Sequence, residues 1–155
     1  MRRLLLLLLV PLCAPLSVVE VSDGVRGCAD VLRPGSCVSV TLDYLHSVEQ
    51  TRVEETYDVC GGGIWLRKME WKSFGAGLPS EYDYYANGAY VKDTDIDVGK
   101  TLSYWFLPLN RVEIRVNGRL VFEGPEEPSR VNVRVRRMLV AMWLASKVMC
   151  QPLVS

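Results

Sequence analysis

The sequence predicts an all-β domain: an antiparallel sandwich or a partly closed barrel, with an N-terminal hydrophobic segment before it and a short C-terminal helix after it. Three observations carry this. Apolar and polar residues alternate with period two through most of the chain, as in Val38, Val40, Leu42 and Tyr44, which is the pattern of a strand with one buried face. Asn87-Gly88 and Asn117-Gly118 each separate two such runs, and Asn-Gly suits the positive φ of a tight hairpin turn. Between the runs no helical period intervenes, so the strands are expected to pair without crossover helices.

The chain has 155 residues, suited to one core, and its 18 Lys and Arg balance 18 Asp and Glu, which leaves no electrostatic footprint for nucleic acid. Three parts are expected: a leader over 1–20, a β domain over 21–136 and an apolar tail over 137–155. In the leader, Arg2 and Arg3 precede the unbroken run Leu4–Val10, with apolar character continuing to Val19. A basic start and an apolar run make a secretory signal. Pro11 and Pro15 interrupt it, and a bilayer span needs about 20 apolar residues, so a cleaved signal is expected rather than a permanent anchor. Leu12 before Cys13 does not fit a lipoprotein signal, which places a small residue there. The domain is therefore expected outside the cytoplasmic membrane.

The strands follow in order. Val25–Leu32 leads into Arg33-Pro34-Gly35-Ser36, a turn in which proline presets one dihedral and glycine supplies the next. Cys37–Leu45 and Arg52–Val59 form the next pair, Gly61–Gly63 breaks the chain, and Ile64–Trp71 resumes it. Glu81–Ala86 and Ala89–Lys92 flank one Asn-Gly turn, Arg111–Val116 and Arg119–Glu123 the other. Between them Asp93–Lys100 reads as an acidic loop and Thr101–Leu107 as an aromatic strand ended by Pro108. After Pro125–Pro128, Val131, Val133 and Val135 alternate again. Met138–Ser146 is nearly all apolar and too short to span a bilayer. A helix packed on the sheet is the favoured reading. A buried last strand and an interfacial helix touching lipid through Met138, Leu139, Trp143 and Leu144 are the competing ones.

In an oxidising compartment Cys28, Cys37, Cys60 and Cys150 are an even set. If the Val38–Leu45 and Arg52–Val59 strands form a hairpin, Cys37 and Cys60 fall opposite each other and a cross-strand disulfide is geometrically allowed. Buried free thiols are the alternative, and Cys150 is left unassigned. No C-x-x-C spacing supports zinc, and no cofactor is indicated.

The candidate site is read from two segments. His46-Ser47 ends a strand, with Glu49, Glu54 and Glu55 close behind. Neighbours on a strand point to opposite faces, so Ser47 and His46 cannot act as nucleophile and base. A turn in which imidazole and hydroxyl satisfy backbone groups is the plainer account, ahead of ligand contact and of catalysis. Ser73-Phe74-Gly75-Ala76-Gly77-Leu78-Pro79 is a glycine loop whose amides could cradle an anion, or which simply rounds a sheet edge with Phe74 and Leu78 as plugs. It lacks the lysine and spacing of a phosphate loop. Tyr82, Tyr84, Tyr85, Trp65, Trp71, Tyr104, Trp105 and Phe106 are mostly expected in the core, with a recognition surface as the alternative. Asp93, Asp95 and Asp97 have a calcium-like spacing without the remaining ligands, and a solvated loop is expected.

Tyr44, His46-Ser47-Val48-Glu49, Val53-Glu54-Glu55, Tyr57 and Ser73 through Pro79 resemble the family of exported prokaryotic domains numbered 1850 in the domain-of-unknown-function series, over roughly residues 25 to 125. Members of that family look like accessory products encoded beside TRAP-type solute transporters, particularly those with a TAXI-type binding protein. The resemblance brings no catalytic residues. It implies a role near solute uptake without fixing it as binding, assembly or regulation, and the leading expectation is a non-enzymatic accessory domain with a TRAP permease or binding protein as candidate partner. His46, Ser47, Glu49, Glu54, Glu55, Ser73, Gly75, Ala76, Gly77 and Pro79 are then the binding candidates, for a protein or a small anionic solute. A stand-alone extracytoplasmic solute-binding module is the alternative.

Overall fold

The computed structural model describes residues 11–75 and 77–150. The apolar run Leu4–Val10 of the expected leader, and Ala76 of the glycine loop, lie outside them. Eleven strands form two antiparallel sheets: β1 (Pro15–Ser22), β2 (Gly27–Val31), β3 (Cys37–Leu45), β4 (Arg52–Cys60), β5 (Gly63–Trp71), β6 (Tyr84–Ala86), β7 (Ala89–Gly99), β8 (Thr101–Phe106), β9 (Val112–Val116), β10 (Arg119–Gly124) and β11 (Ser129–Leu139), followed by helix α1 (Val140–Met149). The larger sheet runs β10-β9-β3-β4-β5-β7-β6 and the smaller β2-β1-β11-β8. They pack face to face as a sandwich. Val40, Leu42, Tyr57, Val59, Ile64 and Ile114 of the large sheet meet Val19, Val21, Phe106, Val131 and Val133 of the small one.

Alternation decides which residues meet there. On β4, Val53, Glu55, Tyr57 and Val59 point inward while the residues between them are part-exposed. Both Asn-Gly turns take the left-handed geometry their residues favour, with φ of 52° and 80° at Asn87-Gly88 and 49° and 78° at Asn117-Gly118. Cys37 and Cys60 are register partners on β3 and β4 and are joined by a disulfide, their Cα atoms 4.3 Å apart.

Four parts of the chain differ from the sequence reading. The expected leader boundary at residue 20 falls inside β1, which pairs with both β2 and β11 and buries Val18, Val19 and Val21. The strand was masked because its valines continue the apolar run. The acidic stretch Asp93–Lys100 is not a loop: through Gly99 it is the second half of β7, which pairs with β5. Its carboxylates are held locally, Asp95 by Arg67 and Asp97 by the Gly99 amide at 2.8 Å. The strand expected over Glu81–Ala86 is confined to Tyr84–Ala86. The expected boundary at residue 136 falls inside β11, and the helix starts two residues later than the apolar run, at Val140.

That helix packs on the small sheet, as favoured. Met138 is buried with Val18 and Ala29, and Leu16 and Trp143 pack against them. Met138 and Trp143 thus turn inward, whereas Leu139 and Leu144 are exposed. A second disulfide, Cys28–Cys150, ties the end of α1 to β2 with its Cα atoms 5.0 Å apart. Among the described residues no helix is long and apolar enough to cross a membrane.

Candidate recognition site

The two segments singled out in the sequence meet at one corner of the large sheet. The β3–β4 connection is a closed turn: His46 N donates to the Thr51 carbonyl at 2.8 Å and Gln50 N to the His46 carbonyl at 2.9 Å. The His46 ring completes it, since its Nδ1 accepts from the Glu49 amide at 3.3 Å. Ser47 is exposed, and its carbonyl accepts from Gln50 Nε2 at 2.6 Å. The imidazole therefore serves the turn, as the plainer account of this segment has it, whereas Ser47 contributes its backbone carbonyl.

The glycine loop closes on that turn. Thr51 Oγ1 and Ser73 Oγ share a hydrogen bond of 3.2 Å, and the Glu49 side chain lies across Gly75 so closely that a Cβ there would overlap its carboxyl group. Glycine at 75 thus lets the Glu49 carboxyl lie against the loop backbone, and a side chain there would have to push Glu49 aside. Gly77 has φ of 84°, and Leu78 N donates to the Gly75 carbonyl at 3.2 Å. Pro79 is half-buried beyond it.

Phe74 anchors the loop to a cluster of rings that the sequence reading had placed mostly in the core. Its centroid lies 4.5 Å from Tyr90 and 6.5 Å edge-on from buried Trp71. Tyr82 and Tyr85 approach Tyr90 at 4.9 and 5.1 Å. Trp71 is fully buried, but Phe74, Tyr82, Tyr84 and Tyr85 remain 45–60% exposed. The reason is topological. β6 and β7 extend the large sheet to its outer edge, where the small sheet, ending at β8, offers no covering strand. The signal was present in the density of tyrosines around Asn87-Gly88, but alternation alone does not say which sheet ends first.

The outer face beside this corner carries carboxylates. Glu113, Asp43, Glu54 and Glu70 stand in one cross-strand row over β9, β3, β4 and β5. An open recess of about 290 Å³ is lined by Asp43, Glu54 and Glu70 together with Arg52, Lys72 and Asn87. Burial, reinforced by Glu70 and Asp43, raises the Glu54 carboxyl above its ordinary range. Burial also raises Asp43, with Arg52 at 2.8 Å offsetting it and Glu113 adding to it. Like charges placed opposite one another on a sheet are costly, and cations already offset most of that cost: Arg52 pairs with Asp43, Lys68 with Glu70 at 3.2 Å and Arg115 with Glu113, which leaves Glu54 as the carboxylate of the row with no ion pair among the described residues.

Glu55 does not belong to this surface. It is 4% exposed and points into the sandwich, because its position on β4 puts it on the face of Val53 and Tyr57. Its Oε1 accepts from Tyr44 at 3.1 Å and its Oε2 from Tyr57 at 2.8 Å, with Tyr104 of the opposite sheet also donating to Oε2. Tyr57 and Tyr104 hydroxyls are 2.9 Å apart. Burial and the charge of Glu55 push all three phenols far above the ordinary tyrosine range. The adjacent glutamates thus divide: Glu54 outward to the recess, Glu55 inward to the core.

Among the described residues no group of three or more His, Cys, Asp or Glu side chains is placed to hold a metal ion. No curated protein and no solved structure matches the chain. A family profile, described as Domain of unknown function (DUF1850), does match, over residues 40–128. The match spans β4 to β10 and most of β3, and so both loops of the corner. Covering more than half of the chain, it shows that the protein belongs to this family of domains of unknown function.

Proposed function

We propose that this protein is an extracytoplasmic, non-enzymatic recognition domain, an accessory of a TRAP solute transport system of the TAXI type. It engages a protein partner through the corner built from the His46–Gln50 turn, the Ser73–Pro79 loop and the rings beside them. The observation that carries this reading is the half-exposed cluster of Phe74, Tyr82 and Tyr85 around Tyr90, with Phe74 on a loop pinned by Glu49 and Ser73. Rigid aromatic area of this kind supplies contact surface at low entropy cost and typifies the energetic centre of protein interfaces. The two disulfides suit an oxidising compartment, and the transporter assignment rests on the family resemblance.

The test is a pull-down from native membranes after mild crosslinking, with wild type and with Tyr82→Ala/Tyr85→Ala. Wild type is expected to recover a permease or binding-protein subunit, and the variant to lose it. Recovery by both would move the interface elsewhere, and recovery by neither would reject the accessory role.

A stand-alone solute-binding module is favoured by one observation, the recess of Asp43, Glu54 and Glu70. Its one carboxylate without an ion pair among the described residues, Glu54, suits a cationic solute better than an anionic one. A ligand specific for the native state raises the melting temperature with occupancy, so a thermal-shift screen of polyamines and basic amino acids, with carboxylates as controls, decides it.

A further inference from the structure

The helix α1 is amphipathic in the wrong sense for water. A surface helix normally turns its polar residues outward. Here the exposed positions are Ala141, Met142, Leu144 and Ala145, while Ser146 and Lys147 turn in. Ser146 Oγ donates to the Trp143 carbonyl at 2.7 Å, and Lys147 Nζ reaches Asp30 at 2.7 Å. Leu139, immediately before the helix, is also exposed. The disulfide from Cys150 to Cys28 and the packing of Trp143 over Met138 hold this apolar face outward instead of letting it roll under.

The turn at Pro11–Cys13 packs against α1, and Val140 N donates to the Ala14 carbonyl at 3.0 Å. A further observation says what lies against the exposed face. Arg33 and Arg137 are exposed at this end of the small sheet and pair with no carboxylate among the described residues. Both flank Ser17, one through the strand register and one through the Leu32 amide, which donates to the Ser17 carbonyl.

We propose that this end of the sandwich seats on an anionic lipid bilayer, with Leu139, Met142 and Leu144 entering the interface and Arg33 and Arg137 at headgroup level. Apolar area combined with basic charge is how interfacial helices bind. The recognition corner then stands clear of the membrane. It lies at the Phe106–Ser129 end of the small sheet, where Tyr44 packs on Phe106, whereas α1 begins at the Leu139 end. The length of β11 separates the two by about 30 Å.

The experiment is flotation of the full chain with extruded vesicles of phosphatidylcholine, alone or with one quarter phosphatidylglycerol. Wild type is expected to float with the anionic vesicles. Met142→Gln/Leu144→Gln, which keeps helix propensity, lowers partition at least ten-fold. Arg33→Gln/Arg137→Gln lowers it about five-fold per arginine, on anionic vesicles only and less at high salt. Near-UV circular dichroism confirms folding, and the arginine pair serves as the second test should the helix variant be perturbed. Unchanged flotation of both variants, or no flotation of wild type, overturns the proposal. A wild-type dimer that Leu144→Gln renders monomeric, without flotation, would assign the face to a second copy and overturn it equally.

Discussion

Replacing Glu55 by leucine is the sharpest test of what holds the two sheets in place. Leucine is close in size, so the change removes an acceptor without opening a large cavity. Glu55 receives three hydroxyl bonds, from Tyr44, Tyr57 and Tyr104. Without it, the 2.9 Å contact between Tyr57 and Tyr104 can satisfy one proton, leaving two buried hydroxyls with no acceptor. At about 1–3 kcal/mol for each buried group left unpaired, the loss is about 2–6 kcal/mol, a large share of the ~5–15 kcal/mol that keeps a domain folded. Glu55→Gln keeps a carbonyl acceptor and offers an amide that tyrosine oxygens can accept from, so it is expected to cost about 1–2 kcal/mol. Urea unfolding followed by fluorescence measures both. Adding Tyr44→Phe, Tyr57→Phe and Tyr104→Phe to Glu55→Leu should restore much of the stability, because removing both partners leaves nothing unpaired. A Glu55→Leu variant as stable as wild type would refute the reasoning, and so would failure of the phenylalanines to rescue an unstable one.

Other expectations follow from the same coordinates. Phenols at 44, 57 and 104 are raised from an ordinary value of 10.0; the unfolded chain releases those protons first, so stability falls as pH rises through about 10, and absorbance titration of the folded protein should leave three tyrosines un-ionised until it unfolds. Gly75→Ala meets the Glu49 carboxyl and should cost about 1 kcal/mol, with little further loss when combined with Glu49→Ala; simple additivity in that double-mutant cycle would mean the loops are not coupled. The disulfides close 122 and 23 residues of sequence, so chain entropy assigns about 5 kcal/mol to Cys28–Cys150 and about 3 to Cys37–Cys60; paired alanine variants compared in urea should keep that order. Glu54 is raised by burial and by its carboxylate neighbours, so its ionisation opposes folding and stability is lost as pH rises past the ordinary carboxylate range; Glu54→Gln should melt above wild type at pH 7 and level with it near pH ~3.

Local chemistry was legible in the sequence, and distance was not. The hairpin turns at Asn87-Gly88 and Asn117-Gly118, the β3–β4 register and the Cys37–Cys60 bridge all follow from residues a few positions apart or directly opposite. β1 was hidden because Leu16, Val18 and Val19 extend the leader's apolar run, and what marks them as a strand is pairing with β2 and with β11, the latter more than a hundred residues away. Cys28–Cys150 escaped for the same reason. Asp93–Gly99 looked like a loop because acidic residues dominate it; as a strand near the sheet's edge it can turn them to solvent and to Arg67. At the site, both loops were legible in the sequence, whereas their contact through Glu49 and Gly75 was not. Glu55 was misplaced by reading it with Glu54 and not with Val53 and Tyr57, although period two already separated them. The exposed tyrosines depend on where the small sheet stops.

The pairing of β1 with β11 also orders events in time. The strand nearest the start of the described chain lies between β2 and β11, and β11 is the last strand to be made. The large sheet can assemble from hairpins such as β3–β4 and β4–β5, whose contacts are short in sequence, but in the small sheet the β1–β2 hairpin is not joined to β8 until residues 129–139 exist. Contacts of such separation form late and slowly. A growing chain is therefore half a sandwich, open along its apolar face, until its final strand arrives. Under the extracytoplasmic role proposed above, in which the polypeptide crosses a membrane before it folds, this delay keeps it pliable for as long as it is being delivered.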